Sequence, residues 1–272
     1  MNKCFILLLY FSIHSSPTLS QVIVPETSYK NNVGKFYLYW GWNQENYSNS
    51  DISFEGADYN FTLDNVNAND RQTKFGFDAY LNPTNATIPQ YNFRFGYFLT
   101  NNYNISIGID HMKYVVKQDQ TVKISVRIDG KDTEYQGNYL NEDIVLKENF
   151  LVFEHTDGLN YVNTDIRRVD ELLKIGLIDI SVKEGFGLGV LVPRTDATVL
   201  GREKHDKFHV SGYGFNIMFG VNIKFFNHFF IQSEYKAGFI NMQNIKTGFS
   251  ELDKAQQNFY FGQYNILFGY QF

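Results

Sequence analysis

From Tyr213 to Phe225 every second residue is large and apolar: Tyr213, Phe215, Ile217, Phe219, Val221, Ile223 and Phe225. The residues of the other face, Gly212, Gly214, Asn216, Met218, Gly220, Asn222 and Lys224, are small, polar or adaptable. Only an extended strand puts residues i and i+2 on one side. The C-terminus repeats the pattern. Tyr260, Tyr264, Ile266, Phe268, Tyr270 and Phe272 share a face with Gly262, while Gln263, Asn265, Leu267, Gly269 and Gln271 share the other. Shorter alternating runs cover 36–43, 91–100, 104–110, 185–192 and 231–239.

A soluble sandwich also alternates, so three further features decide. Runs such as 211–225 exceed the roughly 5–6 residues usual in soluble strands. They reach the roughly 9–11 that a tilted strand needs to cross a bilayer. Aromatic residues crowd the strand ends, as in interfacial girdles. The connections are unequal: tight at Thr100-Asn101-Asn102 and Phe226-Asn227-His228, long and polar over 117–149, 193–210 and 244–257. The predicted fold is all-β, a closed antiparallel transmembrane β-barrel with short periplasmic turns and long extracellular loops. Closure has a physical cause, because in lipid every backbone N–H and C=O needs a partner within the protein.

Eight strands are expected over 34–44, 90–100, 103–116, 150–166, 176–192, 211–225, 228–243 and 258–272. Residues 45–89 leave an alternative. Ile52–Phe54, Tyr59-Phe61-Leu63 and Lys74–Tyr80 are strand-like, and would raise the count to ten if they entered the membrane. Otherwise they form an extracellular hairpin and cap.

The N-terminus reads as an export signal. Lys3 supplies a charge, 4–13 is an apolar run too short to span a bilayer, and Ser/Pro/Thr residues follow. Cleavage is expected after Ser20. The organisation is thus 1–20 signal peptide, 21–33 N-terminal lead, and 34–272 barrel. Cys4, the only cysteine, lies in the signal. Acidic residues outnumber basic ones 29 to 24 with no Lys/Arg block, which excludes a basic nucleic-acid binder. No cofactor and no metal site is expected.

The export signal, the alternating strands and the ending Tyr264-Asn265-Ile266-Leu267-Phe268-Gly269-Tyr270-Gln271-Phe272 resemble small bacterial outer-membrane β-barrels of the OmpW/OmpA-like type. The resemblance is architectural and spans about residues 34–272. It implies a Gram-negative outer-membrane location after Sec-type export. It also implies contact with outer-membrane lipids and lipopolysaccharide, and reading of the strand ending at Phe272 by the barrel-assembly machinery.

Arg94, Asp110, Lys183, Lys224, Glu234 and Lys236 fall on the predicted lumen face. Eight strands leave a lumen just wide enough for side chains, so these charges are expected to form a salt-bridged interior; a narrow charged pore is the alternative. Glu154, His155 and Asp157 are the candidate catalytic residues, an imidazole with two carboxylates in reach for acid–base work. Their stretch distantly resembles the His-x-Ser-Asn motif of barrel lipid A deacylases. Asp157 stands where that motif has its nucleophilic Ser, which speaks against the chemistry. Asp110-His111 reads as an interfacial structural pair. His205 and His209, with Asp206, make a weak two-ligand metal pattern in a loop. The favoured function is therefore non-enzymatic: structural, or binding small hydrophobic or surface ligands. A lipid A-modifying hydrolase, a narrow channel and a soluble lipocalin-type protein are the alternatives.

Overall fold

The computed structural model describes residues 31–85, 89–130, 133–202, 204–205 and 207–272. The expected signal peptide over 1–20 and most of the 21–33 lead lie outside them. The strands in chain order are β1 (Phe36–Tyr47), β2 (Ser50–Gly56), β3 (Tyr59–Val66), β4 (Ala68–Asn69), β5 (Tyr91–Phe98), β6 (Tyr103–Val116), β7 (Thr121–Ile128) and β8 (Gly137–Val145). They continue with β9 (Leu151–Ile175), β10 (Ile178–Leu191), β11 (Asp196–Val199), β12 (Gly212–Phe225), β13 (Phe229–Lys246) and β14 (Lys254–Gln271). A short helix, α1 (Phe77–Leu81), lies between β4 and β5. Among the described residues no helix is long and apolar enough to cross a membrane.

Eight of these strands form a ring. The antiparallel order β1-β5-β6-β9-β10-β12-β13-β14 is completed by pairing of β14 with β1, from Tyr37↔Gln271 to Tyr47↔Phe261. Paired residues followed once around run Tyr37, Gly96, Ser106, Asp165, Gly187, Asn216, Gly238, Phe261 and back to β1 at Tyr47. The circuit returns ten residues further along β1. For eight strands that stagger corresponds to a tilt of about 40°. The ring therefore has no free edge in its wall.

The alternation maps onto the two sides of this wall. Outside stand Phe93, Phe95, Ile105, Ile107, Phe186, Leu188, Phe215, Ile217 and Phe219, with Ile217 66% and Phe219 58% exposed. Inside, Asn92, Arg94, Asp110, Asn163, Asp165, Arg167, Gln232, Glu234, Lys236, Gln263 and Asn265 are buried. The greasy surface faces outward and the polar surface inward, the reverse of a soluble protein. Gly189 on the inner face lets two backbones meet: a Cβ there would lie 2.6 Å from Asn163 Cα.

One end of the ring carries the tight turns and the other the long connections. At the turn end Tyr37, Tyr39, Phe98, Phe230 and Leu267 pack into a buried apolar cluster. Aromatic rings also gather outside this end, Phe36 against Tyr97 (4.8 Å) and Tyr270 against Phe229 (4.9 Å) and Phe272 (5.1 Å). At the loop end β14 continues past β1 to pair with β2, and the sheet extends through β3, β7 and β8. Of the 45–89 region, 45–47 complete β1 and the described residues of 48–85 form a hairpin and cap outside the ring rather than two further wall strands. Ile52, Phe54, Phe61 and Leu63 of that hairpin join Tyr114, Phe153, Leu159, Met242 and Phe259 of the ring strands in one dry core. Residues 74–80, strand-like by pattern, instead lead into α1, whose Tyr80 packs on Trp42 (5.5 Å).

Candidate functional site

Six of the interior charges, Arg94, Arg167, Lys236, Asp110, Asp165 and Glu234, form a network of three cations and three carboxylates. Arg94 Nη1 lies 3.0 Å from Asp165 Oδ2, and its Nε donates to Tyr39 Oη at 2.9 Å. Arg167 bridges Asp165 Oδ2 (2.6 Å) and Glu234 Oε2 (2.9 Å). Lys236 pairs with Asp110, which also accepts from Asn163 Nδ2 at 3.0 Å. Buried charges are tolerated only when paired in this way. Asp165 and Arg167 were absent from the sequence-based set, although Asn163, Asp165 and Arg167 continue the alternation of β9.

The other two expected lumen charges stand apart from the network. Lys183 Nζ lies 4.8 Å from the Phe230 ring centroid and 5.5 Å from that of Tyr37, a cation–π contact within the turn-end cluster. Lys224 donates to Gln271 Oε1 at 2.8 Å and is only half-buried. The network is thus closed below by the Tyr37–Phe230 cluster and above by the dry core.

The structure does not bring Glu154, His155 and Asp157 together, which corrects the grouping expected from their spacing. His155 points inward where β9 stands clear of the apolar wall. It is fully buried between Phe153 (5.2 Å) and Tyr114 (5.8 Å), with Nδ1 3.0 Å from Thr195 Oγ1. Burial pushes its pKa down to about 3. Glu154 faces the opposite way and pairs with Arg71 at 2.8 Å. Asp157 is turned out by a bulge at Gly158 (φ +119°) and meets Arg194 at 3.2 Å. A period of two separates adjacent side chains, and the bulge removes the third. Of the loop histidines, His209 Nε2 lies 3.0 Å from Asn244 Nδ2, and His205 packs edge-on against Phe249. Asp206 lies outside the described residues.

The bulge has a second effect. The register of β6 against β9 shifts between Met112 and Tyr114, and the wall opens outward into a pocket of about 400 Å³ at the loop-end rim. Ile109, Val162, Val192 and Phe208 supply apolar lining; Tyr91, His111, Asp157 and Asn160 supply the polar part. His111 stacks on Tyr91 (centroids 4.9 Å apart, planes 15°), and its Nδ1 is 2.8 Å from Asn160 Oδ1. Gly158 lets Asn160 and His111 approach, since a Cβ there would lie 2.6 Å from Asn160 Nδ2 and 2.8 Å from His111 Cε1. An apolar floor with few fixed polar groups is suited to an amphipathic or hydrophobic ligand. No sequence motif announces this pocket: Tyr91 and His111 are cross-strand partners on β5 and β6, Asn160 follows the β9 bulge, and Phe208 comes from the connection that pairs with Arg194.

No protein-family model and no curated protein matches the chain. Several solved structures are similar to it. The outer membrane protein OprG from Pseudomonas aeruginosa is 14% identical over 90% of this chain and 98% of that one, with a TM-score of 0.39. The N-terminal β-barrel domain of Pseudomonas aeruginosa OprF is 9% identical over 89% and 100%, TM-score 0.33. Ail, the attachment invasion locus protein of Yersinia pestis, is 11% identical over 88% and 99%, TM-score 0.32. The strand register and the outward apolar wall, rather than these likenesses, carry the fold.

Proposed function

We propose that the chain is an integral protein of the bacterial outer membrane, a sealed barrel that binds amphipathic or hydrophobic small molecules in the Tyr91–His111–Phe208 rim pocket. The observation that carries this reading is the closed ring whose outer face is apolar and whose inner face is a paired charge network. Hydrocarbon is the solvent that such an exterior matches. The turn end then faces the periplasm and the long loops face outside. The N-terminal signal directs export, the strand ending at Phe272 engages the assembly machinery, and the rim contacts lipopolysaccharide. The interior is packed at both ends, which favours binding over conduction. His155 has no access to substrate, which favours a non-enzymatic role over lipid A hydrolysis.

A photoreactive fatty acid tests the pocket. It is expected to label peptides containing Ile109, Val192 and Phe208, and Val192→Trp, which fills the space, is expected to abolish that labelling while the barrel stays folded. Labelling spread evenly over the apolar wall, unchanged in Val192→Trp, would contradict the assignment. Fractionation checks the location: recovery of the protein from the periplasm without detergent would contradict it.

A further inference from the structure

The wall of β9 and β10 carries a cluster of outward charges toward its turn end. Glu184 projects outward on β10 between Ile180 and Val182 on one side and Phe186 and Leu188 on the other. Its cross-strand partners are Arg168 on β9 and Phe219 on β12. Arg168 in turn pairs with Tyr103, the first residue of β6 after a tight turn, so the charges sit toward the turn-end rim. The guanidinium lies 5.9 Å from the Tyr103 ring centroid, and Asp170 holds one edge of it, Nε to Oδ2 at 2.7 Å and Nη2 to Oδ1 at 3.1 Å. From this polar spot an outward groove of about 480 Å³ runs along Ile166, Phe186, Ile217 and Phe219.

Charged groups on the lipid face are disfavoured in a depth-dependent way. With Arg168 paired to Asp170, the spot has a net negative charge centred on Glu184, which a ligand with a cationic head beside a phosphate and an apolar tail complements. We propose that the groove is a binding site for a zwitterionic glycerophospholipid of the periplasmic leaflet, of the phosphatidylethanolamine type. Arg168, held on one edge by Asp170, donates to the phosphate from its Nη1 side, Glu184 accepts from the ammonium, and one acyl chain lies along Ile166, Phe186 and Ile217. The site is distinct from the rim pocket, which lies at the other end of the wall. The proposal rests on the outer-membrane reading only in requiring that this face meet lipid.

Native mass spectrometry of the detergent-purified barrel, exposed to phosphatidylethanolamine or phosphatidylglycerol, tests it. The wild type is expected to retain one phosphatidylethanolamine, several-fold more than phosphatidylglycerol. Glu184→Gln should remove that preference while still holding lipid, Arg168→Gln should lose both lipids, and Ile217→Trp should block the groove. Boiled and unboiled gel mobility monitors folding in each variant. Equal lipid retention by all folded forms, or none by the folded wild type, would overturn the site and leave the membrane assignment standing. A protein dimer in place of the lipid adduct would identify the face as a contact between copies instead. Loss of the folded form in detergent would count against the membrane assignment itself.

Discussion

Arg94 and Asp165 meet inside the ring, Nη1 to Oδ2 at 3.0 Å, with both side chains fully shielded from solvent. One lies on β5 and the other on β9, with β6 between them, so the contact reaches past a neighbouring strand. Tyr39, Ser106 and Asn163 take up further guanidinium donors.

Removing one side of this pair is the sharpest test of the interior. Arg94→Met leaves Asp165 buried with one cation fewer, and is expected to cost about 3–5 kcal/mol of stability, the usual penalty for breaking a buried ion pair. Arg94→Met combined with Asp165→Leu should cost less than the two single changes added together, because neighbours in one network couple by about 0.5–3 kcal/mol. Urea unfolding in lipid vesicles measures both. Additive losses would contradict the network.

The packed interior predicts that the barrel does not conduct. Tyr37, Tyr39, Phe98, Phe230 and Leu267 close the turn end and the dry core closes the loop end. Planar-bilayer recordings on the purified protein are expected to show no unitary steps. Regular steps whose ion selectivity changes in Lys236→Gln would contradict the sealed lumen.

His155 makes the loop-end core sensitive to acid. Its folded pKa is depressed to about 3 by burial, against about 6.5 in an unfolded chain. Between these values the opened segment takes up a proton that the closed one refuses, so stability is full above about pH 6.5 and falls as pH drops toward 3. Amide exchange in β2, β3 and β7, corrected for intrinsic rates, should show protection falling over that window in the wild type and less so in His155→Gln. The same variant should leave lipid A acylation unchanged. An equal acid response in both proteins would show that His155 is not the group responsible.

The eight wall strands are legible in the sequence because a surface facing hydrocarbon and a surface facing a polar lumen must alternate at every step. The 45–89 region was ambiguous for a related reason. Ile52, Phe54, Phe61 and Leu63 alternate as wall residues do, yet their apolar face covers a dry core, and periodicity alone does not say what a face touches. Arg167 falls one residue beyond the strand expected over 150–166, whereas β9 runs on to Ile175. The partners of Arg94 and Lys236 follow from ring closure and stagger, which bring strands distant in sequence face to face. The β9 side of the rim pocket is set by a bulge, and a bulge has no reliable sequence mark beyond a glycine such as Gly158.

The central claim is that the apolar wall meets hydrocarbon, and the two tryptophans test it most directly. Trp40 and Trp42 are the only ones in the chain. Both belong to the outward-facing file of β1, Trp42 packing on Phe268 (5.7 Å). In vesicles of phospholipids brominated along the acyl chain, their fluorescence is expected to be strongly quenched, while aqueous acrylamide has little effect. Emission that ignores the brominated lipid and is quenched by acrylamide would place the wall in water and contradict the account.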